Sequence, residues 1–145
     1  MFQAEMVTNG MSIPEEDRQS VLQLAADLDT TWDSRDARGF AALFDDNGDF
    51  RFQDGLWIQG KDAIERFWGK EVFPNLPEGV RHISITKRVR FVSDNVAIGD
   101  GTLRLVRSME GQEKVYLETE GTVLAVKKEG HWRISAIRLT VLSPG

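Results

Sequence analysis

The strongest constraint on the fold is an alternation of apolar and polar residues with period two, which begins near Val80 and continues almost to the end of the chain. Such alternation is typical of strands with one buried face. Turn sequences of polar residues and glycine interrupt it at 93–95, 110–112 and 128–130. We therefore predict long strands at 80–92, 96–107, 114–127 and 131–142. Because short connections join antiparallel neighbours, these strands should form an antiparallel meander.

Glycines inside the predicted strands indicate that the sheet is strongly curved. Gly99, Gly101 and Gly121 interrupt otherwise good strand sequences. Interior glycines weaken a strand and often mark bulges or bends. We expect the sheet to curl into a cone.

The first part of the chain predicts a long helix. Val21, Ala25, Leu28 and Trp32 recur at helical spacing, and the helix should end near 34–36. Ser12 and Glu15 have the spacing of a capping box at its start.

Two further helices and a strand are predicted before the meander. A short second helix should bury Phe40, Leu43 and Phe44, with a polar turn at 45–49 after it. Residues 49–53 alternate like a strand, and a third helix should start near Lys61.

Composition excludes several functional classes. The formal net charge is −5, and nucleic-acid binders usually carry a basic patch, so we expect no nucleic-acid partner. The chain has no cysteine, which excludes disulfides, thiolate nucleophiles and cysteine-based metal sites. The two histidines lack a close third ligand, so we expect neither a metal nor another cofactor.

We expect a single domain over residues 12–145, preceded by a flexible tail at 1–11. The first residues lack the basic start and apolar run of a signal peptide, and no stretch is long enough to span a membrane. The expected location is the cytoplasm.

Several short motifs, taken in order along the chain, resemble one known group of proteins. They are 32–36 (WDSRD), 44–46 (FDD) followed by Phe50 and Phe52, 60–64 (GKDAI) with Phe67, Arg81-His82, and 130–134 (GHWRI). Together they cover about residues 15–142 and resemble the SnoaL-like proteins of the NTF2-like superfamily. The resemblance implies an α+β, cystatin-like cone in which three N-terminal helices pack on a strongly curved antiparallel sheet. It also implies a pocket for a small hydrophobic ligand, and a homodimer formed through the outer face of the sheet.

The resemblance suggests catalytic candidates. Ketosteroid isomerases of this superfamily need a carboxylate base where this chain has Phe52, and a tyrosine where it has Leu28, so that mechanism is rejected. Scytalone dehydratase has an aspartate and a histidine that match Asp33 and His82. Imidazole exchanges protons near neutral pH. Our hypothesis is that His82 is a general acid/base and that Asp33 orients it.

Both candidates have a structural alternative. Asp33 lies near the end of a helix, where a carboxylate can simply cap the next turn. His82 lies on the strand face opposite Ile83 and Ile85, so strict alternation turns it away from the helices. A bulge near Lys87 would place His82 on the inner face.

Aromatic and charged residues complete the predicted pocket. The expected substrate-binding residues are Trp32, Phe52, Trp57, Trp68, Arg104, Glu118, Glu120 and Arg138. Three functions remain open: an isomerase, cyclase or dehydratase acting on a small carbonyl compound, a binding protein without turnover, and a dimeric assembly module with a filled pocket.

Overall fold

The computed structural model describes residues 3–142, and over that range one mixed sheet wraps around the helices. The helices are α1 (Glu15–Asp33), α2 (Ala37–Ala42) and α3 (Lys61–Phe67). A π-helical turn, Trp68–Val72, and a 3₁₀ turn, Phe73–Asn75, continue α3. The strands are β1 (Glu5–Val7), β2 (Phe44–Arg51), β3 (Trp57–Gln59), β4 (Arg81–Ser93), β5 (Val96–Met109), β6 (Gln112–Lys128) and β7 (His131–Val141).

The long strands of the meander are confirmed. In the described range the sheet order is β1-β4-β5-β6-β7-β2-β3, and β4 to β7 pair as antiparallel neighbours. The expectation of a wholly antiparallel sheet is wrong, because β1 pairs with β4 and β2 pairs with β7 in parallel. Parallel partners are joined by long connections, and a strand's own sequence contains no signal for such a distant neighbour.

A bulge in β4 decides which residues face the helices. Its pairing with β5 shifts between Thr86 and Arg88, so Lys87 has no directly opposed partner. The bulge puts His82, Ser84 and Thr86 on the same face of the sheet as the buried Val89. The question of which way His82 faces is thereby answered, and it faces inward.

Gly101 makes the bulge possible. A Cβ on Gly101 would collide with the carbonyl oxygen of Ile85 on the neighbouring strand. The glycine therefore permits the close backbone approach at this bend.

The core lies between α1 and the inner face of the sheet. The apolar side of α1 is buried there through Val21, Leu24, Leu28 and Trp32. A cluster of aromatic rings closes one end of the core, and its members are Phe40, Phe50, Phe52, Phe67 and Trp68.

A buried carboxylate fixes the N-terminal end of α1 to the sheet. Asp17 accepts hydrogen bonds from the indole N–H of Trp132 at 3.0 Å and from the ammonium group of Lys127 at 3.0 and 3.2 Å. The bond from Trp132, and next the bond from Lys127, lower the pKa of Asp17 below its ordinary value of 3.8, although burial opposes them. The anion is therefore the stable form in the folded protein.

Several local predictions need correction. The capping box at Ser12 and Glu15 does not form, since α1 starts at Glu15 after Pro14 and has no side-chain cap. Helix α2 ends at Ala42, and the predicted turn at 45–49 is part of β2, whose pairing with β7 is irregular between Phe44 and Asp49. The predicted helices are therefore present, but α2 and α3 are short.

The predicted tail contributes to the sheet. Glu5–Val7 forms the edge strand β1 beside β4. The outermost residues of the predicted tail and domain, 1–2 and 143–145, lie outside the described residues.

Candidate functional site

A largely apolar cavity lies between α1, the aromatic cluster and the inner face of the sheet. The space inside it that a water-sized molecule can reach is about 70 Å³, and it is partly open to solvent. We call it the His82 cavity. It is lined by Ala25, Leu28, Phe40, Phe50, His82, Ser84, Ile85, Thr86, Gly99, Asp100, Gly101, Thr102, Leu103, Gly121, Val123, Ile137 and Leu139. An apolar lining with a few polar groups is ordinary for a small-molecule site.

The side chain of His82 is the only imidazole among the residues that line this cavity in the described range. His82 is 8% exposed. Its Nδ1 lies 2.6 Å from Oδ1 of Asp29, a residue of α1. An ionised carboxylate can only accept hydrogen bonds, so the shared proton belongs on Nδ1. The Nε2 atom is then the ring nitrogen with a lone pair available to a ligand.

Ser84 holds the carboxylate of Asp29 in place. The Ser84 hydroxyl donates to Oδ1 at 2.8 Å, and the Ser84 backbone N–H donates to Oδ2 at 3.0 Å. Both oxygens of Asp29 are thus fixed relative to β4, which fixes the plane of the imidazole as well.

Asp33 is close to His82 but does not orient its ring. Its Oδ1 accepts the backbone N–H of His82 at 2.8 Å. The predicted partnership is therefore corrected: Asp29 takes the role assigned to Asp33, and Asp33 anchors the start of β4. Residues four apart share one face of a helix and residues two apart share one face of a strand, so two carboxylates of α1 reach His82 and Ser84 together.

The predicted aromatic residues lie outside the lining of the cavity. Trp32 is buried with its ring centroid 5.2 Å from that of His82, so it packs against the imidazole. Phe52 and Trp68 stack on each other, and Trp68 packs behind Phe50. Trp57 is 47% exposed on β3, where its indole N–H donates to Asp49.

The predicted charged residues lie on the opposite face of the sheet, and that expectation is corrected too. Arg104, Glu118, Glu120 and Arg138 alternate with residues that face the helices, so they point outward. Arg104 forms an ion pair with Glu118 at 2.7 Å, and Glu120 is exposed.

Arg138 belongs to a separate cluster on the outer face of the sheet, together with Asp49 and Trp57. Its guanidinium donates to Asp49 at 2.7 and 3.2 Å. Burial acts to raise the pKa of Asp49, but hydrogen bonds from Arg138 and Trp57 outweigh it and hold the pKa below the ordinary value. Asp49 is therefore an anion that binds its protein neighbours.

Sequence reasoning missed Asp29, Ser84 and Thr86 as site residues. A signal was present: Asp29 is one helical turn before Asp33, and Ser84 and Thr86 share a strand face with His82. The bulge that turns this face inward depends on how β4 pairs with β5.

The polarity of the site restricts its ligands. Within the described residues, no Lys or Arg lines the His82 cavity.

Residues 3–142 contain no group of His, Asp and Glu that would hold a metal ion. The same part of the chain contains no helix long and apolar enough to cross a membrane.

Comparison with sequence families gives one clear match. The family described as "SnoaL-like domain" matches residues 15–138, which is most of the chain. A comparison with curated proteins found no significant match.

Solved structures share the fold at low sequence identity. An NTF2-like protein with a cystatin-like fold from Novosphingobium aromaticivorans superposes with a TM-score of 0.80 at 19% identity, covering 90% of this chain and 84% of that one. A domain of unknown function from Nostoc punctiforme gives 0.78 at 21% identity, covering 89% and 79%. A hexachlorocyclohexane dehydrochlorinase, LinA-type3, from Novosphingobium barchaimii gives 0.71 at 18% identity, covering 90% and 92%. These similarities establish the cystatin-like, NTF2-like fold.

Proposed function

The chain belongs to the SnoaL-like domain family, and on that premise we propose that it is an acid–base enzyme that moves a proton on a small, neutral, hydrophobic compound. The observation that carries the proposal is the 2.6 Å contact between Asp29 and the ring of His82, at the wall of an apolar cavity. Isomerisation, dehydration and related eliminations, and cyclisation all need such a proton transfer.

In this proposal Nε2 of His82 is the base. It takes a proton from a carbon atom next to an electron-withdrawing group of the substrate. The carbon–hydrogen electron pair forms a double bond, and either a leaving group departs or an enolate forms. Asp29 stabilises the imidazolium that results, because its carboxylate already accepts the proton on Nδ1. Return of the proton from Nε2 to another atom completes an isomerisation.

Residues of this chain alone supply the proton chemistry. Ser84 fixes Asp29, and Asp33 fixes the backbone of His82, so the base is held before the substrate arrives. The step needs no redox partner, which supports a reaction without a cofactor. The fold shared with the dehydrochlorinase from Novosphingobium barchaimii is compatible with an elimination.

A binding protein without turnover is the second candidate. The apolar lining of the His82 cavity favours it, because burial of an apolar ligand needs no catalytic group. The remaining candidate, an assembly module with a filled pocket, has less support, since side chains do not fill the His82 cavity completely.

We also propose that the protein is a homodimer that packs through the outer face of the sheet. Ile83 and Ile98 lie on that face and are only partly buried within one chain. A second copy would cover them. Light scattering after gel filtration should report twice the monomer mass for the wild type and the monomer mass for Ile98→Glu; a monomeric wild type would contradict this proposal.

Hydrogen–deuterium exchange tests the enzymatic proposal. Neutral ketones such as 2-butanone and 2-hexanone would be incubated with the protein in D₂O, and loss of their α-proton NMR signals followed. We expect exchange with the wild type and none above background with His82→Ala. Bound ketones that do not exchange would favour the binding protein, and equal exchange by both proteins would refute His82 as the base.

A further inference from the structure

A second apolar cavity lies beneath α1, next to the His82 cavity. The space inside it that a water-sized molecule can reach is about 40 Å³. We call it the rear cavity. Side chains of α1, β4 and β6 enclose it, among them Val21, Leu24, Val89 and Ala125. Among residues 3–142, no charged side chain lines it.

The two cavities have part of their walls in common. Ala25, Leu28, Thr86, Gly99 and Val123 line both. Whether a ligand can pass from one to the other depends on what fills the space between these residues.

Gly99 leaves that space empty. It pairs with Val89 and Val123, so a side chain at this position would project from the inner face of the sheet. A Cβ built on Gly99 would have no heavy atom of the described residues within 4 Å, apart from its chain neighbours. At Gly121, by contrast, a Cβ would lie 3.3 Å from Leu139, and at Gly101 it would collide with backbone. Steric need therefore explains Gly101 but does not explain Gly99.

We propose that the missing side chain at Gly99 joins the two cavities into one bent site, and that the substrate is an uncharged molecule with an extended apolar chain. The reactive end lies beside His82, and the apolar chain passes Gly99 into the rear cavity. The assignment of the reactive end rests on the proposed function, whereas the binding of the chain does not. The absence of cationic side chains from the described walls of both cavities excludes a carboxylate or phosphate on the buried part of this molecule.

A homologous series of 2-alkanones, from 2-butanone to 2-nonanone, measures the length of the site. In the wild type, calorimetric affinity should rise about fourfold for each added methylene until the chain fills the rear cavity. In Gly99→Leu the affinity should stop rising at a shorter chain length than in the wild type, so the ratio of the affinity for 2-nonanone to that for 2-butanone should fall. Thr140→Leu adds the same side chain to the exposed face of β7 and should behave like the wild type.

Gly99→Ala covers the case in which Gly99→Leu fails to fold. Its Cβ has free space, so the fold should persist, and the ratio of the affinity for 2-nonanone to that for 2-butanone should fall. The proposal is overturned if wild-type affinity stops rising at the chain length where the Gly99 variant stops, or if both variants bind 2-nonanone as tightly as the wild type. Ketones that bind with this length dependence but never exchange α-protons would refute the proposed function alone. Exchange of short ketones without any dependence of affinity on chain length would refute the rear cavity alone.

Discussion

The two ends of α1 carry carboxylates that do different work, and of these Asp17 is buried and Asp29 is partly buried. Near the N-terminus, Asp17 accepts bonds from Trp132 and Lys127. Near the C-terminus, Asp29 accepts bonds from Ser84 and from the ring of His82. An indole has a single polar hydrogen, and in Trp132 this hydrogen is donated to Asp17. An imidazole has two nitrogens, so Asp29 leaves one of them free.

The comparison shows that, within one helix, Asp17 contributes to stability and Asp29 contributes to the proposed chemistry. Both carboxylates attach α1 to the sheet, but the end near His82 faces the His82 cavity. A polar group held rigidly by the protein, with one lone pair left unused beside a cavity, is what a base requires. Changes at the Asp29 end should therefore affect reaction rate, and changes at the Asp17 end should affect unfolding.

The largest effect is expected at His82. His82→Ala removes the base, and the rate of α-proton exchange should fall about 10⁴-fold, the upper part of the range for loss of a general base. His131→Ala is the matched control, because this second histidine is exposed at the start of β7. An equal loss of exchange rate in both variants would contradict the assignment of His82 as the base.

A smaller loss of rate is expected at Asp29. Asp29→Asn puts an amide beside Nδ1, and an amide N–H can donate to that nitrogen and place the ring proton on Nε2. Exchange should slow about 100-fold, the lower part of the range for acid–base catalysis, since Asp29 acts on the substrate only through the base that it orients. Asp33→Asn should retain most activity, because an amide oxygen still accepts the backbone N–H of His82. The reverse order of effects would restore Asp33 as the orienting residue.

Removal of the other carboxylate should destabilise without slowing the reaction. Asp17→Ala leaves the buried indole N–H of Trp132 without an acceptor, which should lower the free energy of unfolding by about 2–3 kcal/mol. Chemical denaturation measures this loss. Asp27→Ala, on the solvent side of the same helix beside Gln23, should change stability by less than about 0.5 kcal/mol. If folded Asp17→Ala catalysed α-proton exchange more slowly than the wild type, the two ends of α1 would be coupled.

The smallest effect concerns acid stability. The pKa of Asp17 is lower in the folded chain than the ordinary 3.8, so the unfolded state binds a proton first as the pH falls. Its stabilising contribution is complete above that ordinary value and is lost as the pH falls through the folded pKa. The stability difference between the wild type and Asp17→Asn should therefore shrink below about pH 4. A difference that stays constant in acid would show that the charge of Asp17 is not its source.

The sequence was enough to predict the long strands, the helices that precede them and the family, because periodicity and turn chemistry are local signals. It was not enough for the parallel partners of β1 and β2, which depend on strands far along the chain. Only part of the candidate site could be predicted from the sequence. His82 followed from the resemblance, but its partner Asp29 depends on the rotation of α1 against β4.

The prediction that charged residues line the pocket was wrong for a related reason. Arg104 and Glu118 alternate correctly with buried neighbours, but the face on which they lie is set by pairing across the sheet. The bulge at Lys87 has the same origin, since it is defined only relative to β5. Strand alternation gives two faces, and tertiary contacts decide which of them is inside.

The central claim, that Asp29 holds the proton on Nδ1 of His82 and leaves Nε2 for a ligand, is tested most directly by long-range ¹H–¹⁵N NMR of histidine-labelled protein. The chain has two histidines, so the pattern of His82 can be assigned by comparison with His131→Ala. In the neutral form of the ring we expect a protonated Nδ1 and an unprotonated Nε2 whose signal moves when 2-hexanone binds. In Asp29→Asn the proton should move to Nε2. A wild-type His82 protonated on Nε2, with no change in Asp29→Asn, would contradict the account.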